Sequence, residues 1–209
     1  MQYWPEFIAL AVVHFLAVVA PGPDFAVTVR QSLRFGQRVG IWTALGIGAG
    51  MSVHIVYTLL GIGALLQTSA QLMSAARILG AGYLLYLAWQ FLRAQPATAD
   101  QADSKEPDAA IPSAAMAFRT GFLTNATNPK ATLFFLAVFT TVVSSATPMA
   151  VQLGYGLWMC SVNALWFVGV SLMFSRARLR QAFLRFAHWI ERGIGLLLLA
   201  FACRLFWSV

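Results

Sequence analysis

The sequence predicts an all-α membrane protein: six transmembrane helices, arranged as two inverted three-helix repeats, with helices 1 and 4 broken at proline-containing motifs. Three observations carry this. The chain of 209 residues is 59% hydrophobic and 10% charged, with a mean hydropathy of +0.71, whereas a soluble domain carries about 25% charged residues. The net charge of +7 comes from basic residues gathered in short loops between apolar runs, a pattern that orients membrane helices and implies a lipid bilayer rather than nucleic acid. Two apolar runs are interrupted by prolines at corresponding places.

The first span is expected over Glu6–Val29. It is kept rather than cleaved as a signal peptide, because the N-terminus has no basic region, carries Glu6 and runs into Pro21-Gly22-Pro23. Pro21 and Pro23 lack amide hydrogens, so the carbonyls of Ala17 and Val19 lose their helical partners, and Gly22 is pushed from helical geometry by the proline after it. The helix should unwind there and restart near Asp24. The second span, Val39–Leu66, holds Gly46, Gly48 and Gly50, which with Gly36 and Gly40 give the small-residue spacing of closely packed helices. The third is Leu72–Leu92. Residues 94–118, with Asp100, Asp103, Glu106 and Asp108 among Ala, Pro and Ser, read as a disordered cytoplasmic linker. The linker separates a first repeat, 1–93, from a second, 119–209, within one transmembrane domain. The fourth span, Phe118–Val143, is interrupted by Thr127-Asn128-Pro129-Lys130, where Pro129 frees the carbonyl of Asn125. The fifth is Met149–Phe174 and the sixth His188–Trp207. All should be helices, since no segment alternates with the period of a barrel strand.

The loops set orientation. Arg30, Arg34 and Arg38 follow span one, Arg93, Lys105 and Arg119 bracket the linker, and Arg176, Arg178, Arg180, Arg185 and Arg192 crowd the loop after span five. The positive-inside rule puts these loops in the cytoplasm and both termini outside. The halves share weak motifs in one order. Phe15-Leu16-Ala17 matches Phe122-Leu123-Thr124, Ser52-Val53-His54 matches Ser161-Val162-Asn163, and Arg77-Ile78-Leu79-Gly80 matches Arg192-Gly193-Ile194-Gly195. Three spans per half makes the repeats opposite in topology. That arrangement, with broken helices at matching positions, marks secondary transporters whose site lies between the halves and whose halves rock to alternate access.

Backbone broken at membrane depth survives only when buried in protein or facing a wet cavity, and an ionisable group there is a candidate functional group. Asp24 stands at the first break and Lys130 at the second, so the breaks are expected to face each other with one acid and one base. Asp24 could instead merely cap the restarted helix, and Lys130 could snorkel, though its place near mid-span makes that difficult. Asn125 and Asn128 share a helical face, with Thr124 one turn before Asn128; they suit either substrate contact or helix association. His54 in span two and His14 in span one could relay protons, although a satisfied structural histidine is at least as good a reading, more so for His14. Pro21, Gly22, Pro23 and Pro129 are the expected hinges. Cys160 and Cys203 lie away from the breaks, against a thiol–disulfide electron carrier. The few carboxylates and histidines within spans tell against a divalent-cation exporter, and no nucleophile–base arrangement suggests an enzyme.

At these residues the sequence resembles the LysE/RhtB family of amino-acid exporters, most of all its threonine efflux members. The resemblance rests on Ala20-Pro21-Gly22-Pro23-Asp24-Phe25, Gly61-Ile62-Gly63, Gly80-Ala81-Gly82-Tyr83-Leu84 and Gly121-Phe122-Leu123-Thr124-Asn125 running into Asn128-Pro129-Lys130-Ala131. It implies multi-pass insertion in the bacterial inner membrane and efflux of a small amino acid driven by protons, without a cofactor. Glycine-rich helix faces permit a homodimer. A zwitterionic substrate needs one cationic and one anionic surface. Lys130 or the helix start near Asp24 is expected to meet its carboxylate, and Asp24 or the freed carbonyls of Ala17, Val19 and Asn125 its ammonium.

Overall fold

The computed structural model describes residues 3–68, 70–93, 110–144, 146–174, 186, 188–189, 191–200 and 202–203. All regular structure among them is helical: α1 (Trp4–Val19), α2 (Pro23–Phe35), α3 (Gln37–Thr68), α4 (Ala70–Leu92), α5 (Ala114–Ala126), α6 (Pro129–Thr141), α7 (Met149–Phe174) and a final stretch at 191–200. The expectations for Lys105, the acids of the linker, Arg176, Arg178, Arg180, Arg185 and most of span six's ends fall outside the described residues.

Both breaks form where the prolines put them. α1 stops at Val19, α2 restarts at Pro23, and the two are bent by 50°. Gly22 between them is fully extended, φ −173° and ψ −167°. The restart lies one residue before Asp24 because proline suits the first helical position, where its missing N–H has no intrahelical partner. The second break is shorter, Thr127-Asn128, with Pro129 again opening the new helix.

Two boundaries differ from those expected, each for its own local reason. No helix breaker lies between Asp24 and Phe35, so α2 runs on to Phe35 and carries Arg30 and Arg34 on a helix instead of a loop. The turn into α3 is made by Gly36 at φ 89°, a conformation open to glycine at little steric cost. At the other side of the linker, Ser113 accepts a hydrogen bond from the Met116 N–H, so α5 begins at Ala114, inside the 94–118 stretch.

Gln37–Gly61 of α3 and Met149–Phe174 are long and apolar enough to cross a membrane, and α1 with α2 makes a third such run if counted as one bent span. Large apolar side chains point outward, among them Leu60, Leu157 and Leu165, each about two-thirds exposed or more. Such a surface needs lipid rather than water against it.

α3 is the central element and packs most extensively on α5 and α7, helices of the other half. Glycine makes the approach close enough. A Cβ on Gly46 would strike the Phe118 carbonyl oxygen, and one on Gly121 would strike that of Thr43. A Cβ on Gly48 would come within 2.5 Å of Ala164 Cβ on α7. α1 also packs on α7, and α4 on α6. The halves therefore interlock instead of meeting as two separable blocks, which does not suit rigid rocking of one against the other. Leu10, Leu84, Leu87, Phe135, Val138 and Met159 belong to one buried apolar cluster, and Ile47, Phe167 and Phe174 to a second.

Candidate functional site

The two breaks meet at a small, partly open cavity of about 40 Å³. Asp24, Asn125, Asn128 and Lys130 supply charge and amides to its wall, and Met51, Phe134, Phe135 and Phe167 supply apolar surface.

Asp24 sits in the first turn of α2, where the amide N–H groups and the helix dipole favour negative charge. Its Oδ2 accepts from Asn125 Nδ2 at 2.9 Å and from Asn128 Nδ2 at 3.2 Å. Its Oδ1 is buried without a hydrogen-bond partner among the described residues. Asn128 does two jobs: while its Nδ2 reaches Asp24, its Oδ1 accepts from the Lys130 N–H at 2.9 Å and so caps α6.

Lys130 reaches the opposite break. Its Nζ donates to the Ala20 carbonyl at 3.0 Å and lies 3.5 Å from that of Pro21. The ammonium also lies 5.2 Å from the centre of the Phe91 ring, where the π face attracts a cation. Gly22 gives it room, since a Cβ there would sit 3.3 Å from Nζ. Asp24 and Lys130 act on each other electrostatically, yet among the described residues no direct ion pair joins them. Each charge rests on neutral dipoles: the acid on two amides, the amine on carbonyls. Glu191, in the final helical stretch, is a second carboxylate acting on Lys130.

The freed carbonyls differ from expectation. Asn125 O is already satisfied, by the Asn128 N–H at 2.8 Å and by His54 Nε2 at 2.8 Å. The Lys130 contacts to the Ala20 and Pro21 carbonyls are to neighbours of the expected pair, Ala17 and Val19. A carbonyl only accepts, so His54 Nε2 carries a proton and, in the neutral ring, Nδ1 accepts from Tyr57 OH at 2.8 Å. His54 also stacks on Phe135, 5.6 Å between ring centres. It is thus a satisfied histidine one layer behind the cavity wall.

Of the sequence candidates, Asp24, Asn125, Asn128 and Lys130 are brought together, and His54 supports them. Thr124 is not brought in: its hydroxyl donates to the Thr120 carbonyl one turn back, at 2.8 Å. His14 departs from its structural reading. It is 1% exposed, lines the cavity, and neither ring nitrogen has a partner among the described residues. Sequence reasoning passed over Asn163 and Glu191 as site residues. Asn163 lines the same cavity with its Nδ2 unpartnered. The available signals were an acid inside an apolar run, and the match of Asn163 to His54 in the repeat.

The family model for LysE type translocators matches residues 15–208. Among curated proteins, the threonine efflux protein of Salmonella typhimurium is 29% identical over 199 residues, 95% of this chain and 96% of its own length. The threonine efflux protein of Escherichia coli K12 is 27% identical with the same coverage. The uncharacterized membrane protein YahN of that strain is 31% identical over 188 residues, 90% of this chain and 83% of its own length. No solved structure matches the chain significantly.

Proposed function

Since the chain belongs to the LysE type translocators, we propose that it is a secondary active transporter that exports small amino acids of the threonine or homoserine kind across the bacterial inner membrane in exchange for protons. One observation supports this above the others: an acid and an amine share one cavity, and each is held by neutral groups instead of by the other. A zwitterion supplies the two missing counter-charges at once. Its carboxylate meets Lys130, and its ammonium meets the open Oδ1 of Asp24 or the Ala20 carbonyl that Lys130 leaves. Asp24 takes up a proton from outside once the substrate has left and releases it inward before the next binds. The carboxylate is thus never bare in a water-excluded site, where isolated charge is costly.

In this reading the protein has six spans in two inverted repeats, 1–93 and 119–209, joined by a cytoplasmic linker, with both termini periplasmic and no enzymatic activity. The packing of α3 on α5 and, far less extensively, of α1 on α7 supports this reading. Because the halves interlock, alternation belongs to the broken segments, which pivot at Pro21–Pro23 and at Asn128-Pro129. Nothing favours the other readings. Cys160 is half-buried on α7 and Cys203 exposed, neither at a break, and the Asp24 carboxylate and His54 serve hydrogen bonding. The test is efflux of labelled threonine and homoserine from loaded cells carrying Asp24→Asn or Lys130→Ala at matched membrane abundance. Both variants should lose export; wild-type rates in both would remove the two charges from the mechanism.

A further inference from the structure

The cavity holds more polar groups than a zwitterion's two charged ends require. His14 projects from α1, five residues before that helix ends at Val19. That places it about 7.5 Å of helix rise from the break that carries Asp24. Its ring is fixed between aromatic neighbours, 6.0 Å from the centre of Phe134 and 5.6 Å from that of Trp158. Asn163 comes from the middle of α7. The two are 1% and 2% exposed, line the same cavity, and present His14 Nδ1, His14 Nε2 and Asn163 Nδ2 without partners among the described residues. Buried polar groups in native folds are almost always hydrogen-bonded, so three bare ones at one cavity point to a ligand that partners them.

The repeat makes the same point. At the second break His54 is spent on a backbone carbonyl. Its counterpart Asn163 leaves its amide hydrogens facing the cavity. We propose that His14 and Asn163 form a side-chain subsite, on α1 and α7, that hydrogen-bonds the hydroxyl of a small hydroxylated amino acid and thereby selects it over the apolar amino acid of the same shape. A neutral imidazole offers one donor and one acceptor and the amide a further donor; a hydroxyl donates to the acceptor nitrogen of His14 and accepts from Asn163, leaving the second ring nitrogen to another partner such as water. The surrounding Phe134, Phe167 and Val18 accept the aliphatic carbons that carry it. The inference rests on the transport reading above, with the charged ends bound by α2, α5 and α6 and the side chain by α1 and α7.

The experiment compares export of matched pairs from loaded cells: threonine with valine, serine with alanine, homoserine with 2-aminobutyrate. Wild type should favour the hydroxylated member. His14→Phe and Asn163→Leu should each reduce that preference about tenfold or more, since a site built to bond a hydroxyl discriminates strongly against its absence. The change should lie mainly in KM, and His14→Gln, which keeps a donor and an acceptor, should retain much of the preference. Membrane abundance is measured alongside; if His14→Phe does not accumulate, Asn163→Leu decides. A wild type indifferent to the hydroxyl, or variants that slow both members of every pair equally, would overturn the proposal. Asp24→Asn separates the two readings: it should abolish export of all six compounds. If it does so while the His14 and Asn163 variants leave preference intact, the subsite alone is wrong; if it abolishes none, the transport site itself is wrong.

Discussion

At the second break the carbonyl keeps a partner from its own segment beside one from the other half, whereas at the first the carbonyl is held by a side chain from across the cavity. Asn125 O has two partners, the Asn128 N–H and His54, and Asn128 caps the helix that follows. Gly22 caps α2 with no side chain, and the Ala20 carbonyl depends on Lys130, a residue of the other half. Two proline breaks thus give one joint with a local partner and one that relies on a residue of the other half. A group that competes for Lys130 loosens the first break and leaves the second intact. In the proposed binding mode the substrate carboxylate is such a group, and binding would then be coupled through one ammonium to loosening of α1 against α2.

The sharpest test of this asymmetry sets Lys130→Ala beside His54→Leu. A hydrogen bond from a charged group is worth about 1.5–3 kcal/mol, so Lys130→Ala should lower threonine efflux at least about tenfold, tenfold per 1.4 kcal/mol. His54→Leu removes one of two partners from a carbonyl that keeps the other. It should cost about 1 kcal/mol and slow efflux only severalfold. Equal losses in the two variants would erase the distinction between the joints. A middle-sized effect is expected where the α3–α5 crossing holds the breaks in opposition. In Gly121→Ala the new methyl meets the Thr43 carbonyl, and backbone cannot yield as a flexible side chain does. Stability should fall by about 1–3 kcal/mol, read as a lowered unfolding midpoint in detergent. The smallest effect belongs to Gly22→Ala. Its Cβ would lie 3.3 Å from Lys130 Nζ and 3.4 Å from Cδ, the movable end of a long side chain, and the extended backbone carries no penalty for alanine. Efflux should change about twofold or less through KM, since a shift of a few tenths of a kcal/mol changes an equilibrium by less than twofold. A loss as deep as that of Lys130→Ala would mean that the amine's position tolerates no displacement.

What could be read from the sequence follows the range of the forces involved. Proline acts on carbonyls three or four residues away, so both breaks, and the placing of Asp24 and Lys130 at them, are visible in the chain. Asn125 and Asn128 were visible for the same reason, standing at the site of interruption. The destination of each freed carbonyl was not, because it depends on how α3 and α6 approach from elsewhere: His54 took Asn125 O, and Lys130 took Ala20 O. Thr124 looked like its neighbours and differs only in rotamer, bonding back along its own helix. His14 and Asn163 were the hardest to read. A lone polar residue in an apolar run has the same sequence signature whether its partner is a neighbouring carbonyl or a cavity, and only packing separates the two. The length of α2 was misjudged for an opposite reason: its arginines suggested a loop, but charge orients a segment without interrupting its hydrogen bonds.

Lys130 on the Ala20 carbonyl has a further consequence. A lysine head and the amino group of any amino acid are the same functional group, so the unloaded carrier already holds an imitation of its cargo. That imitation is tethered by a side chain, at the high effective concentration that a short tether confers. Incoming cargo has to outcompete a resident it cannot dilute, and departing cargo is replaced at once. Such a carrier grips weakly and resets quickly, which suits a molecule whose task is to discharge an excess rather than to gather a trace.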